Sequence, residues 1–259
     1  MPKAAKVKNA RATASRSKKA SKPTVTTEKD TEDIPMPIAE SYLLQVRLNR
    51  SNDPTITRLL VVPSNFTFEK LHEVLQVAFG WADCHAHSFD ILQLHEEGKP
   101  RARRQWESVL TLKEDNLDAS SFPHPERIQK EADFTLANIF VDTKYDGKIQ
   151  VVYEYDHGDG WVHGIVFLGR ADPSLRSVMN VPDDLEACCL GGEGHPAAED
   201  CGGSSGWEYL KSVFKKGKKD PEGLKEWYKT TCTNGDPKGL DPYRWDMLDV
   251  NDGLTSVKA

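Results

Sequence analysis

Long apolar runs are absent from this sequence. No stretch reaches the roughly 18 consecutive apolar residues that a membrane-spanning helix needs, and the first residues lack the apolar block of a secretory signal. We therefore expect a soluble, intracellular protein of the nucleus or cytoplasm, without a membrane partner. A mitochondrial address is less well supported, because the basic, serine-rich start of the chain lacks the bulky apolar stripe of mitochondrial presequences.

Cysteine is also scarce. The chain has five cysteines, an odd number, and Cys188 and Cys189 are adjacent, so the pattern indicates reduced thiols rather than a disulfide framework. No C-x-x-C pair occurs, which disfavours a structural zinc knuckle. No G-x-x-x-x-G-K-[ST] motif occurs either, so a nucleotide site of the Walker type is not expected.

Acidic residues are missing from the first 27 positions, which hold eight lysines and arginines. The whole chain has a formal charge of −6, so a start of +8 leaves −14 on the remainder. Such a basic segment cannot bury enough apolar area to fold, and we predict a disordered tail over 1–37. Its charge suits a nuclear import receptor, RNA or solubility alone, whereas the acidic remainder repels nucleic-acid phosphates.

Apolar periodicity predicts two strands and a helix at the start of the ordered region. Alternating residues over 41–50 and 55–63 indicate two strands joined by a turn. Apolar residues at three- and four-residue spacing over 68–79 indicate a helix, with Thr67 as its N-cap and Gly80 at its end.

Strand alternation resumes over 85–94, where His85 and His87 are predicted to share one face. Residues 96–131 are charged and irregular, and we interpret them as a long insertion with room for one short strand. A hairpin with an Asp-Gly turn is predicted over 148–168.

The remaining segments complete an α+β pattern. We predict a short helix at 136–140, a glycine-rich loop over 188–206, and helices over 207–214 and 220–231. The expected fold is a compact single α+β domain over 38–259, with a mainly antiparallel sheet and C-terminal helices.

The hairpin segment YEYDHGDGWVHGI permits two interpretations of His163. Because His163 is in strand phase with Trp161, it could be a buried imidazole that its neighbours satisfy. Alternatively, Asp156 or Asp159 could fix its tautomer for acid–base or metal-binding duty. The same residues suit an Asp-Gly turn beside a packed tryptophan, so both interpretations stay open.

His85 and His87 have the strand spacing that lets two imidazoles reach one metal ion. The residues that follow do not complete the cupin or the H-x-H-x-D-H hydrolase pattern. A divalent metal, whether zinc, manganese or iron, would therefore need further ligands from Asp159, His163 or a cysteine.

Glu199, Asp200 and Cys201 precede a glycine pair and a predicted helix. Free N–H groups at a helix start can hold an anion, although a nearby side chain more often caps them. Catalysis by Cys201 with His163 as base is disfavoured, because the neighbouring acids oppose thiolate formation.

Four motifs together resemble the plasmid pRiA4b ORF-3-like family, namely GWADCHAHSF, YEYDHGDGWVHGI, PAAEDCGGSSGW and DPYRWDMLDVN. The resemblance runs from about Tyr42 to Asn251. The family's hairpin pattern Y-x-Y-D-F-G-D-x-W-x-H is matched at the following residues: Tyr153, Tyr155, Asp156, Gly158, Asp159, Trp161 and His163. His157 replaces the usual aromatic residue, and Ala198 stands where the family usually has a proline.

The resemblance implies an α+β domain with a β-grasp-like strand–strand–helix start. It implies little about activity, since the family is largely uncharacterised and fold alone does not establish a site. Some members have transposon- or resolvase-like labels, and others are joined to zinc-finger modules, a context that suits interaction domains.

Three hypotheses on function follow. The first is a non-enzymatic binding or adaptor module for a protein or peptide, with a polar pocket formed by these residues: Tyr155, Asp156, Asp159, Trp161, His163, Glu199, Asp200 and Cys201. The second is a metal-dependent hydrolase in which His85, His87 and His163 bind the metal and Asp159 or Glu199 activates water. The third is a nucleic-acid-associated protein of mobile-element origin that binds through its basic tail.

Overall fold

Alternating apolar residues build the central sheet, as the first strand shows. Tyr42, Leu44, Val46 and Leu48 are buried, while the residues between them are half-buried or exposed. This computed structural model describes residues 40–95, 105–114, 124–145, 148–182 and 184–259. The predicted basic tail and part of the predicted insertion lie outside these residues.

Eight strands of the described part of the chain form one sheet. They are β1 (Ser41–Leu48), β2 (Thr57–Pro63), β3 (His87–His95), β4 (Gln105–Lys113), β5 (Ile128–Lys130), β6 (Ile149–Tyr155), β7 (Trp161–Arg170) and β8 (Cys188–Glu193). Their order in the sheet is β5-β4-β3-β6-β7-β1-β2-β8. Neighbouring strands are antiparallel except for β4 and β5, which are parallel. The prediction of a mainly antiparallel α+β domain is therefore confirmed.

Within the described residues, six α-helices accompany the sheet. They are α1 (Phe68–Phe79), α2 (Leu136–Phe140), α3 (Ser174–Val178), α4 (Gly203–Phe214), α5 (Leu224–Thr230) and α6 (Met247–Leu254). The first helix has the predicted ends, since Thr67 accepts a hydrogen bond from the Lys70 amide and Gly80 adopts the left-handed conformation. Its apolar face is buried against the sheet, as its spacing predicted. No helix among the described residues is long and apolar enough to span a membrane.

The described residues within the predicted insertion, 105–114 and 124–131, form regular structure. β4 is nine residues long and pairs with β3 over most of its length. Its first residues are exposed, whereas Leu110 and Leu112 are buried. The sequence predicted room for one short strand here, and the described residues contain β4 and the three-residue β5.

The last helix packs against the opposite edge of the sheet. α6 contacts both β8 and α1. Within it, the Asn251 side chain accepts a hydrogen bond from the Cys189 amide at 2.7 Å and donates one to the Cys189 carbonyl at 3.0 Å. The two backbone groups of this edge residue are thereby satisfied by one side-chain amide.

The close packing of β8 on β2 yields a stability prediction. A Cβ atom on Gly192 would lie 2.3 Å from the Thr57 carbonyl oxygen, while one on Gly191 would meet no heavy atom within 4 Å. We expect Gly192→Ala to lower the free energy of unfolding by about 1–3 kcal/mol and Gly191→Ala to leave it almost unchanged. Urea denaturation of both variants measures the difference, and equal stability would contradict this packing.

Candidate functional site

Three segments meet at one end of the sheet. β3 begins at His87, which pairs with Tyr155 at the end of β6, and Tyr155 pairs with Trp161 across the 156–160 turn. The segment before β3 and the loop before α4 reach the same place through hydrogen bonds to Glu199. Three of the four motifs that resemble the family therefore converge here.

Glu199 is the buried centre of this convergence, with 1% of its surface exposed. The Tyr155 hydroxyl donates to its Oε1 at 2.6 Å, and the Ala82 amide donates to both carboxylate oxygens at 3.1 and 3.2 Å. The Cys84 thiol also donates to Oε1, at 3.5 Å. Burial and then the bond to Glu199 raise the pKa of Tyr155, so the phenol keeps the proton that it donates.

His85 lies beside two aspartates in the same region, the buried Asp156 and the exposed Asp200. Its Nε2 atom is 3.1 Å from Asp200 Oδ1 and 3.9 Å from Asp156 Oδ2. The other oxygen of Asp156 accepts a hydrogen bond from the Gly158 amide at 2.9 Å, which fixes the carboxylate. Asp156 and Asp200 both have left-handed backbone conformations, with φ of 54° and 57°, so each side chain leaves a sharp turn toward the imidazole.

Asp159 and Trp161 hold the hairpin in place. Asp159 Oδ2 accepts a hydrogen bond from the Gly202 amide at 3.1 Å. A Cβ atom at Gly203 would lie 2.3 Å from the Asp159 carbonyl oxygen, so the turn and the start of α4 can approach only because this residue is glycine. Trp161 is buried against Trp81, with ring centroids 5.2 Å apart.

His87 lies in a separate, buried cluster. Its ring stacks on that of His72 at a centroid distance of 3.5 Å. Its Nε2 atom is 2.8 Å from Glu131 and its Nδ1 atom 3.0 Å from Glu114. Burial, and then the neighbouring His87, lower the pKa of His72 to about 4.

His163 is buried in the middle of the domain. Its ring packs edge-on against Phe79, with centroids 4.5 Å apart, and lies 5.3 Å from the Tyr153 ring. Neither ring nitrogen has a hydrogen bond of good geometry within the described part of the chain. Burial lowers the pKa of this imidazole to about 3, and the ring is therefore neutral.

Cys201 is half-buried, and its thiol points to the Gly203 carbonyl at 3.8 Å. Burial, and then the Asp159 charge, raise the pKa of this thiol well above its ordinary value. The thiol therefore stays protonated at neutral pH, and its bond to Gly203 places it at the start of α4 rather than beside His163.

The structure thus divides the predicted metal ligands. In the described ranges, the groups of at least three ligand atoms within 4.8 Å of one another are Cys84, His85 and Glu199, and His85, Asp156 and Asp200. His87, His163 and Asp159 belong to neither group. His85 lies outside β3, so it does not point to the same face of the sheet as His87. His163 is separated from both because it packs against Phe79 of α1.

Four residues of these two clusters were not predicted as site residues: Cys84, His72, Glu114 and Glu131. Cys84 could have been found, because it directly precedes His85 within the motif GWADCHAHSF. The other three meet His87 only through the fold, since Glu131 is 44 residues away from it along the chain. No local pattern marks such a contact.

The family model of the plasmid pRiA4b ORF-3-like protein matches residues 40–250. The chain belongs to the plasmid pRiA4b ORF-3-like family. It is 30% identical over 171 residues to the uncharacterised protein y4hQ of Sinorhizobium fredii, which covers 66% of this chain and 71% of that protein. A crystal structure of the protein of unknown function MM3350 from Methanosarcina mazei Go1 covers 82% of this chain and 98% of that one, with a TM-score of 0.57 and 21% identity.

These comparisons confirm the resemblance seen in the four motifs and support the fold. One relative is an uncharacterised protein and the other a protein of unknown function, so neither assigns an activity. For this member of the pRiA4b ORF-3-like family, function must therefore be argued from the site itself.

The buried His163 generates a pH prediction. Because its folded-state pKa of about 3 lies below the ordinary 6.5, the unfolded chain takes up a proton that the folded chain does not. The free energy of unfolding should therefore fall as the pH is lowered from about 6.5 toward 3. His163→Leu should reduce this fall by up to about 1.4 kcal/mol per pH unit.

Denaturation at pH 7, 6, 5 and 4 measures the slope. His124→Asn is the control, because His124 has 62% of its side chain exposed and its left-handed backbone suits asparagine. A His163→Leu protein with the slope of the parent would contradict a neutral, buried His163.

The Tyr155 hydroxyl generates a second prediction at this site. Tyr155→Phe removes the shortest hydrogen bond to the buried Glu199 carboxylate, and we expect a loss of about 1–3 kcal/mol in unfolding free energy. Tyr209→Phe is the matched control, since the exposed Tyr209 hydroxyl also donates to a glutamate, Glu222. Thermal or urea denaturation checks both, and equal losses would argue against a central role for Glu199.

Proposed function

We propose that the protein is a non-enzymatic binding module that holds a divalent metal ion at His85, Asp156 and Asp200. The observation that supports this is the convergence of three ligand atoms from three separate segments within 4.8 Å of one another. Two ligands that are each about 2.1 Å from one tetrahedral ion lie about 3.4 Å apart. The distances of 3.1 and 3.9 Å from His85 Nε2 to the two carboxylates lie close to this value.

One nitrogen and two oxygen ligands suit zinc, manganese or iron. The His85 Nε2 atom is buried and has no hydrogen bond of good geometry to any described residue, so it is available as a ligand. The alternative group of Cys84, His85 and Glu199 is less suitable, because Glu199 already accepts hydrogen bonds from Tyr155 and Ala82. A metal there would have to displace them.

The geometry favours binding over hydrolysis. His85, Asp156 and Asp200 line neither of two cavities of about 440 and 500 Å³ in the described domain, although His157, which follows Asp156, lines the second. Of the groups expected to activate water, Glu199 is buried and accepts from Tyr155 and Ala82, and Asp159 belongs to neither ligand group of the described residues. A metal ion in this position is suited to ordering the three segments and presenting them to a protein or peptide partner.

Nucleic-acid binding would depend on the basic residues over 1–37, which lie outside the described residues. The acidic remainder of the chain gives such binding no electrostatic support.

Calorimetric titration tests the metal proposal. The full chain, stripped with a chelator and dialysed, is titrated with Zn²⁺ and with Mn²⁺. We expect one equivalent to bind, and we expect Asp200→Asn and His85→Asn to weaken binding at least about tenfold. Asparagine tolerates the left-handed backbone of Asp200, so the loss would reflect the missing charge.

His124→Asn serves as the control, because it removes an exposed imidazole outside the cluster. It should bind metal as the parent does. Absence of binding to the parent, or equal binding by Asp200→Asn, would overturn the proposal.

A further inference from the structure

The C-terminal motif DPYRWDMLDVN is not used by the metal-binding site. It lies instead beside a cavity of about 440 Å³ between the end of α1, the His195–Pro196 segment and the start of α6. We call this cavity the α6 cleft. Its walls include Trp245, Asp246 and Asp249 from the motif, and its volume is typical of a ligand pocket.

Several side-chain donors of the α6 cleft are engaged by the protein. The Asn234 amide nitrogen donates to the Gly80 carbonyl at 3.0 Å and to the Ala197 carbonyl at 2.8 Å. The Arg244 guanidinium is paired with Asp236 at 3.1 Å. The buried Trp245 indole nitrogen is inaccessible to solvent, so the donors open to a ligand are those of the exposed Arg244 guanidinium that Asp236 does not engage.

The acceptors of the α6 cleft, by contrast, are open. His195 Nδ1 lies 2.8 Å from the Pro196 carbonyl, which only accepts, so Nδ1 carries the proton and Nε2 is left as an acceptor. Asp246 uses one oxygen to cap α6 through the Leu248 amide, which leaves its other oxygen. Asp249 makes no hydrogen bond or ion pair with the described residues.

One part of the wall of the α6 cleft is apolar. Val77, Pro196 and Val250 line it together with the Trp245 ring. The Trp245 ring also makes a cation–π contact with the buried Arg58, whose guanidinium carbon lies 4.6 Å from the ring centroid. Arg58 is itself fixed by bonds to the carbonyls of residues 57, 78, 193 and 194. The aromatic wall is therefore preorganised.

We propose that the α6 cleft binds a lysine or arginine side chain of a partner peptide. Such a side chain combines an aliphatic stem, which suits the apolar walls, with a cationic head made only of donors. The head would meet the carboxylates of Asp246 and Asp249 and the lone pair of His195. The formal charge of −14 outside the first 27 residues favours association with a basic peptide.

Fluorescence anisotropy with a labelled peptide tests this inference. The probe is a peptide of alternating lysine and alanine, and the same peptide with glutamine in place of lysine is the reference. At 0.15 M salt, the full-length protein should bind the lysine peptide and not the glutamine peptide. Asp246→Asn/Asp249→Asn should weaken binding about tenfold, and asparagine at 246 preserves the helix cap.

Asp241→Asn/Asp252→Asn is the matched control, because it removes the same charge from the same segment but neither residue lines the cleft. It should bind within about twofold of the parent. Equal weakening by the two double variants would show that only overall charge attracts the peptide and would overturn the inference. So would equal binding of the glutamine peptide, or no binding of the lysine peptide.

The single variant Asp249→Asn keeps the test decisive if the double variant is unstable, since the Asp249 side chain makes no bond to the described protein. It should weaken lysine-peptide binding severalfold, and unchanged binding would contradict the inference. None of these substitutions touches His85, Asp156 or Asp200, so failure of the metal proposal would leave this result unaffected.

Discussion

The buried carboxylate of Glu199 is the constraint on which the arrangement of the site depends. A carboxylate out of contact with water is costly unless hydrogen-bond donors surround it. No lysine or arginine pairs with Glu199 in the described ranges, so the donors are Tyr155, the Ala82 amide and Cys84. Because these donors come from the end of β6 and from the segment before β3, burying one carboxylate fixes three segments relative to one another.

The hydrogen bonds to Glu199 also bring His85 next to Asp156 and Asp200. Cys84 is bonded to Glu199, which places its neighbour His85, and Asp200 directly follows Glu199 in the loop. The candidate metal ligands therefore continue a buried hydrogen-bond network, from the buried Asp156 to the exposed Asp200. A second layer of polar groups, the stacked His72 and His87 with their carboxylates, lies beneath the same end of the sheet.

Local signals were sufficient for much of the fold. Helix α1 and the β6–β7 hairpin could be predicted, because caps, periodicity and an Asp-Gly turn act over a few residues. The position of His85 could not be predicted in this way. The alternation in the sequence begins two residues before β3 itself, and nothing local marks where strand pairing starts. The partner of Tyr155 lies 44 residues further along the chain, and only the packed tertiary structure decides such a contact.

The bond between Asn251 and Cys189 has a consequence for solubility. β8 is the last strand at its side of the sheet, and an uncovered edge strand offers free N–H and C=O groups to a strand of another molecule. The Asn251 amide occupies one such pair, much as a neighbouring strand would. The helix that carries it therefore shields the sheet from growing by edge-to-edge addition, and the C-terminal segment protects the protein against aggregation as well as lining a cleft.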